Sequence, residues 1–346
     1  MSTLKAINFQ NPSNSSVTMI TSANNDVSFA SNLTAAGNLT AGGTVSMSSP
    51  FTMRNRIING AMQIWQRGTT AASGYVADRW QGVNTTTCNR SSDAPSGFQY
   101  SFEIINTSAS YPYVCQSIES SNCFDLVGQS ITISFWAKNI SGSATLYTEI
   151  VYATAVDNFT STALISNALN SFSPSSSWTY YTVTFTNLPA NVANGLQLRI
   201  VRNIASAATT RITGVQLEVG SVATPFERRP YGMELALCQR YFVVFGGTGY
   251  AGVSWATPQV SGSQGSGAYV QFPMFMRAAP SLTVTGSGFY ASDNSLGPIS
   301  STVSLNTSAI SGAYLTYAHT AGLTSNAARR LYFSDSTSYL QFSAEL

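Results

Sequence analysis

From Arg54 to Pro230, apolar residues recur at every second position in short runs separated by turn residues, and nothing else in the chain constrains the fold as much. Over Ile131–Lys138, Ile131, Ile133, Phe135 and Ala137 share one side, and Thr132, Ser134, Trp136 and Lys138 the other. Trp178–Phe185 repeats this, with Tyr181, Val183 and Phe185 opposite Trp178, Tyr180 and Thr182. Leu196, Leu198 and Ile200 alternate with Gln197, Arg199 and Val201. Successive side chains of a strand point to opposite faces, so each run predicts a strand with one apolar face. Many short strands of this kind, punctuated by turns, predict a β-sandwich over residues 54–230.

Composition agrees. Only 9% of the 346 residues are charged and the net charge is +2, which gives no nucleic-acid grip and no polybasic membrane anchor. Aromatics reach 12%, with 17 Tyr and 18 Phe, against the charge-rich, aromatic-poor signature of disorder. Ser, Thr, Asn and Gly replace the usual Lys and Glu, and such residues with β-branched and aromatic partners suit pleated, half-buried surfaces. The length predicts two or three domains. The opening MSTLKAINFQNPSNSS lacks the apolar core of a secretory signal, and no run of about 18 apolar residues occurs, so membrane insertion is not expected. Asn-x-Ser/Thr triplets at Asn32, Asn38, Asn106 and Asn139 follow from the composition alone. Cys88, Cys115, Cys123 and Cys238 match no zinc spacing, and the single histidine, His319, lies far from them. Free buried thiols are expected, with a Cys115–Cys123 bridge as the lesser alternative. No cofactor is expected, although calcium held by loop carbonyls and carboxylates stays open.

Residues 26–49 divide into six-residue units, DVSFAS, NLTAAG, NLTAGG and TVSMSS. Val27, Leu33, Leu39 and Val45 take the second position, and Phe29, Ala35, Ala41 and Met47 the fourth. A single strip of short strands cannot bury its apolar side alone. Three copies wound about one axis would bury it, which predicts a trimeric stalk through Val27, Phe29, Leu33, Leu39, Val45 and Met47; a Gly/Ser/Thr linker is the plainer alternative. The expected organisation is an attachment segment and stalk over 1–53, a sandwich over 54–230, and a smaller β-domain over 231–346. A short helix over 231–241 joins the last two, because Met233, Ala236, Leu237 and Tyr241 fall near helical spacing.

The stretch RNRIINGAMQIWQRG (Arg54–Gly68), followed by YVADRW (Tyr75–Trp80), resembles the opening of a domain common in phage tail fibre proteins. The later GVQLEVGSVATPFERRPYGMELALCQRYF (Gly214–Phe242) resembles the same family. Between them, ISFWAKN and WTYYTVTF are similar to galactose-binding-like, carbohydrate-binding jelly rolls. The resemblance implies a virion protein, made in the host cytoplasm, that recognises a host surface and leaves the ligand open. Trp65 and Trp80, inside the opening stretch, are expected in the core, and Arg228–Arg229 beside Glu227 in an interdomain or intersubunit salt-bridge cluster.

Catalysis has little to stand on. Gly247, Gly249 and Gly252 form GxGxxG, but Pro258 and repeated Gly exclude the helix a phosphate cradle needs, and the next acidic residue is Asp293. His319 has no nucleophile-elbow sequence to serve. Two of the 14 acidic residues could converge as a glycosidase pair. Glycan-cleaving phage spikes, however, usually rest on long parallel β-helices for which this chain lacks room.

Saccharides present apolar faces ringed by hydroxyls, which aromatic rings and amide, carboxylate or guanidinium groups can recognise. Trp136, Tyr147, Glu149, Tyr180, Gln197 and Arg199 fall on the non-core side of their strands and are the candidate carbohydrate-binding residues. The same rings could instead pack beneath a second layer or a neighbouring chain. The expectation is a non-enzymatic, all-β trimeric fibre that binds virion proteins through its N-terminus and a host surface glycan further along. The alternatives are a purely structural baseplate or capsid fibre and a glycan-cleaving fibre enzyme. Ser261–Gly267 with Tyr269, Phe272, Phe275, Phe289 and Tyr290 make residues 232–346 a candidate distal tip.

Overall fold

The computed structural model describes residues 53–107, 111–165, 170–203, 207–247, 254–255, 265–292, 299–319, 330–333 and 335–346. The hexad strip, with Val27, Phe29, Leu33, Leu39, Val45 and Met47, lies outside the described residues. Within residues 49–346 the described residues form one compact unit.

The first lobe contains thirteen strands: β1 (Thr70–Ala71), β2 (Gly74–Tyr75), β3 (Gln81–Val83), β4 (Thr87–Ser91), β5 (Ser101–Asn106), β6 (Tyr113–Ile118), β7 (Ile131–Ser141), β8 (Thr145–Ala155), β9 (Asn158–Leu164), β10 (Asn170–Phe172), β11 (Thr179–Phe185), β12 (Leu196–Asn203) and β13 (Ala208–Val219). Sheet 1 has the order β1-β4-β5-β13-β7-β11. Sheet 2 has the order β10-β8-β12-β6-β3-β2, with β9 also paired to β8. All of the pairings are antiparallel. From β5 onward the pairing is nested: β5 with β13, β6 with β12, β7 with β11, and β8 with β9. Successive nested pairs fall in alternate sheets, as when one long hairpin is wrapped around a barrel, which is the jelly-roll arrangement.

The period-two pattern sets the core. Ile131, Ile133, Phe135 and Ala137 from sheet 1 face Leu196, Leu198 and Ile200 from sheet 2, all fully buried. Full burial of an aliphatic or aromatic side chain of this size contributes about 1.5–3 kcal/mol relative to exposure. Trp80 is buried in this core, and Trp65 packs against it, stacked on Phe102 with ring centres 5.8 Å apart. All four cysteines are free and buried. Cys123 joins the core while the Cys115 sulfur turns towards Gln81 on the outer side of sheet 2, so the two thiols do not approach one another.

The stretch at Arg54–Gly68 acts as a non-strand edge for β13. Asn55 Oδ1 accepts from the backbone N–H groups of Ile57 and Leu217, at 3.0 and 3.1 Å. Its Nδ2 donates to the Val215 carbonyl at 3.2 Å. β13 shifts register between Thr213 and Gln216, and these bonds serve the backbone there. Asn59 does the same for its own turn, at φ 57°: Oδ1 accepts from Gln63 and Ile64, and Nδ2 donates to the carbonyls of Ile64 and Asp78. An Asn side chain both donates and accepts, and it tolerates positive φ, so it can replace a missing strand neighbour. Gly60 approaches β13 so closely that a Cβ would lie 2.1 Å from the Val215 carbonyl oxygen.

Helix α1 (Tyr231–Gln239) leads into the second lobe, as expected for residues 231–241. Its strands are β14 (Phe242–Gly246), β15 (Ser254–Trp255), β16 (Gly265–Gln271), β17 (Ser281–Thr285), β18 (Phe289–Ser292), β19 (Ile299–Ala309), β20 (Gly312–His319), β21 (Arg330–Phe333) and β22 (Tyr339–Ser343). They make a sheet β14-β22-β17 and a sheet β15-β21-β18-β19-β20-β16, closed over Val243, Val270, Phe272, Phe289, Leu315, Leu340 and Phe342. The aromatic cluster expected at a tip is therefore divided. Phe272 and Phe289 are core residues, whereas Tyr269 and Phe275 are 48% and 66% exposed. Gly247 sits at φ 78° directly after β14, as a turn between strands requires; Gly249 and Gly252 lie outside the described residues.

The lobes meet where the two family-like stretches meet. Arg67 stacks over Phe242 and Arg79 over Tyr241, each 3.5 Å from the ring centre. Arg67 pairs with Asp78 at 3.2 Å and with Glu345 at 2.9 Å, and Arg79 also pairs with Glu345. Arg240 forks onto Glu119 with two 3.0 Å bonds, and the Tyr241 hydroxyl donates to the same carboxylate at 2.9 Å. Burial pushes Tyr241 up to about 12. Arg229 fits the expected salt-bridge cluster, lying 3.3 Å from Glu234 and 3.9 Å from Glu227. Arg228 is outside it, exposed and stacked over Phe98 and Phe226.

Candidate functional site

The six candidate residues lie on the outer sides of their strands, but on two different sheets. Trp136 on β7 and Tyr180 on β11 are cross-strand partners in sheet 1, with ring centres 5.3 Å apart. Tyr147 and Glu149 on β8 and Gln197 and Arg199 on β12 belong to sheet 2. Trp136 and Tyr180 therefore form no common site with the other four, because the core separates the two outer faces.

Sheet 2 carries the concave one. Registered pairing runs Gln81–Cys115–Arg199–Glu149 across β3, β6, β12 and β8, and Val83–Tyr113–Val201–Tyr147 in the next row. Over the β3–β6–β12 part of this face lies a cleft of about 510 Å³ lined by Tyr113, Gln197, Arg199, Phe159 and Asp157 among others. Arg277 and Glu345 of the second lobe wall one side of it. The volume lies in the range of about 300–1,000 Å³ usual for small-ligand sites.

The floor is held rigidly. Arg199 donates through Nε to Gln197 Oε1 at 2.6 Å and through Nη2 to Thr162 Oγ1 at 3.0 Å, and it lies 5.2 Å from the centre of the Tyr113 ring. Gln197 is itself buried and donates to Ser117 Oγ at 2.9 Å. Burial raises the Tyr113 hydroxyl above its ordinary value, opposed by Arg199, so the ring stays a neutral donor and acceptor at neutral pH. The wall is fixed by Arg277, which donates to the carbonyls of Ala344 and Glu345 at 3.0 and 3.2 Å. Both acidic side chains described in the cleft lining are engaged: Asp157 accepts from the Ser120 backbone and hydroxyl at 2.6 and 3.2 Å, and Glu345 pairs with Arg67 and Arg79. Tyr147 and Glu149 share the face but lie outside the cleft lining.

The outer face of sheet 1 carries a charged network. Asp93 accepts from Lys138 at 2.8 Å, from Trp178 Nε1 at 3.0 Å and from Arg211. Burial would push Asp93 up, but the bonds from Lys138, Trp178 and Arg211 hold it below the ordinary carboxylate value. Tyr180, on the same side of β11 as Trp178, is 39% exposed.

Sequence reasoning missed Tyr113, Phe159, Arg277 and Glu345. Tyr113, Cys115 and Ser117 alternate with Val114 and Ile118 strongly enough to have placed Tyr113 outside. Arg277 and Glu345 reach the cleft only through docking of the second lobe. Among the described residues no group of three or more His, Cys, Asp or Glu is arranged to hold a metal ion, and no helix is long and apolar enough to cross a membrane.

No protein-family model and no curated protein matches this chain. Among solved structures, similar ones include the CBM22-1 xylan-binding domain of Xyn10C from Paenibacillus barcinonensis, 13% identical, covering 49% of this chain and 96% of that one, with a TM-score of 0.34. The C-terminal family 22 carbohydrate-binding module of Clostridium thermocellum Xyn10B is 13% identical, covering 46% and 96%, at 0.34. The enzymatically active domain of tailspike protein 4 from bacteriophage CBA120 is 17% identical, covering 48% of this chain but 22% of that one, at 0.35. At these TM-scores the jelly-roll assignment rests on the nested strand pairing itself.

Proposed function

We propose that this chain is a non-catalytic, glycan-binding fibre protein of a tailed bacteriophage, and that it holds a neutral saccharide in the cleft over sheet 2. The observation that carries this reading is the cleft floor, where Tyr113, Gln197 and Arg199 are pre-arranged side by side on rigid strands. A ring and a guanidinium within one concave site, the guanidinium held in place by the buried Gln197 amide, supply the stacking surface and hydroxyl partner that a sugar requires. Cations and carboxylates both line the cleft, so its charge balance favours an uncharged ligand.

The virion role is supported by the two stretches that resemble phage tail fibre proteins, Arg54–Gly68 and Gly214–Phe242. In this reading residues 1–53 attach to the virion, and the hexads trimerise the chain. Three weak sites on one axis then act at high effective concentration, so avidity replaces single-site affinity. A non-catalytic role is favoured by the state of Asp157 and Glu345. A glycosidase needs one free carboxylate and one protonated carboxyl flanking the bond, whereas here one serves a backbone turn and the other a double arginine pair.

Exposed Tyr180, packed against half-buried Trp136, supports a second reading, in which the sheet 1 face stacks on the saccharide instead. The test is adsorption of purified full-length protein to host cells, competed by soluble surface polysaccharide, with reducing ends assayed in parallel. Competed adsorption without new reducing ends is expected. Absence of adsorption leaves a purely structural fibre, and released reducing ends indicate an enzyme.

A further inference from the structure

A second concavity, of about 800 Å³, runs along the junction of the two lobes and shares no lining residue with the cleft. Three elements bring aromatic and amide side chains to it. Trp65 comes from the stretch before β1; its indole N–H donates to the Met62 carbonyl at 2.6 Å and its ring stacks on Phe102, which fixes its orientation. Tyr231 and Gln239 lie eight residues apart on α1, two turns along one helix face, and Tyr231 is 60% exposed. Tyr339 and Gln341 alternate with buried Leu340 and Phe342 on β22 and so share its other face. Tyr339 stands opposite Gly246 of the edge strand β14, where no side chain covers the ring on that side.

The charge of this groove differs from that of the cleft. Among the described residues no Asp or Glu lines it, and the cations that do are Arg67 and Arg90. Arg67 is already committed to Asp78 and Glu345. Arg90 is exposed, lies 4.6 Å from the centre of the Tyr100 ring, and enters none of the ion pairs among the described residues. A guanidinium presents two parallel N–H groups that match a carboxylate, and aromatic faces with amides beside them match the rest of a sugar ring.

We propose that this groove is a second saccharide site, selective for sugar units that carry a carboxylate, with Arg90 taking the carboxylate, Trp65, Tyr231 and Tyr339 the ring faces, and Gln239 and Gln341 the hydroxyls. The proposal rests on the reading of the chain as a glycan binder but not on which ligand occupies the cleft. Two sites of different charge on one chain would let a trimeric fibre grip a mixed acidic and neutral surface polysaccharide at several points.

The probes are trigalacturonate and its neutral counterpart galactotriose, titrated into the full-length protein by calorimetry at low salt. Trigalacturonate is expected to bind at least ten-fold more tightly than galactotriose. Arg90→Gln should abolish that preference, and Tyr231→Ala should weaken trigalacturonate at least ten-fold with an unchanged thermal midpoint. No trigalacturonate binding to the unaltered protein, no preference over galactotriose, or a loss that follows Arg199→Ala and not Tyr231→Ala each overturns the proposal. None of these results decides the cleft, which is read separately with neutral glycans.

Discussion

The guanidinium of Arg79 lies 3.5 Å from the centre of the Tyr241 ring, and the two residues belong to the two stretches that bracket the sandwich. Arg79 is buried, and the ring gives it a face on one side while Glu345 pairs with it from the second lobe. A buried cation needs such partners, since burying it unpaired is costly. The pair thus fixes the second lobe to the jelly roll and sets the wall of the cleft.

Glu345→Ala removes the shared partner of Arg67 and Arg79 and leaves two guanidinium groups without it. Breaking a buried pair from one side costs about 3–5 kcal/mol. Urea unfolding of the variant should show a loss of that order, and a loss under 1 kcal/mol would mean that the junction is held elsewhere.

Gly60→Ala tests the role of the Arg54–Gly68 stretch as an edge for β13. The added methyl would meet the Val215 carbonyl oxygen at 2.1 Å, a backbone atom that cannot turn away. Overpacking of this kind costs about 1–3 kcal/mol. Thermal unfolding should show a lowered midpoint, whereas Ala at exposed Gly232 of α1, where a Cβ meets nothing, should leave the midpoint unchanged or raise it slightly.

Much of this fold was legible, because a period of two reports directly which side of a strand is buried. It placed Phe135 inside and Trp136 outside, and Leu198 inside and Arg199 outside. It does not report which sheet a strand joins. In a jelly roll successive strands cross between sheets, so Trp136 and Tyr180 were grouped with Tyr147, Glu149, Gln197 and Arg199 although they lie on the opposite sheet. The cleft wall was illegible for a different reason. Glu345 reaches Arg79 across 266 residues, and nothing local in the sequence signals that contact. The same contacts bear on any attempt to locate recognition by truncation near Pro230, since removing the second lobe strips Arg79 and Glu119 of Glu345, Arg240 and Tyr241.

Acid should loosen the junction. Burial would push Glu119 up, but the hydrogen bonds and charge of Arg240, with the Tyr241 hydroxyl, hold it below the ordinary carboxylate value. A carboxylate with a depressed folded pKa adds stability that is fully present above its unfolded value, about 4.3 for Glu, and is lost as pH falls through the folded value. Urea midpoints should therefore fall on acidification below about pH 4. Glu119→Gln, lacking that titration, should be less stable at pH 7 and show a shallower fall; an unchanged slope would remove Glu119 from the account.

In the proposed reading, the apolar hexad positions Phe29, Leu33, Leu39 and Met47 pack against partner chains. Light scattering on the full-length protein is expected to give three times the mass of one chain, and deletion of residues 26–49 to give a smaller assembly. A monomeric mass for the full-length chain would remove the trimeric stalk.

The most direct test of a glycan-binding cleft is a glycan microarray probed with the full-length protein and with Arg199→Ala and Tyr113→Ala, each checked for an unchanged thermal midpoint. The expected result is a discrete set of neutral glycans retained by the unaltered protein and lost in both variants, while Tyr180→Ala on the opposite sheet keeps the set. Retention of the same neutral glycans by Arg199→Ala and Tyr113→Ala, or their loss in Tyr180→Ala alone, would contradict it.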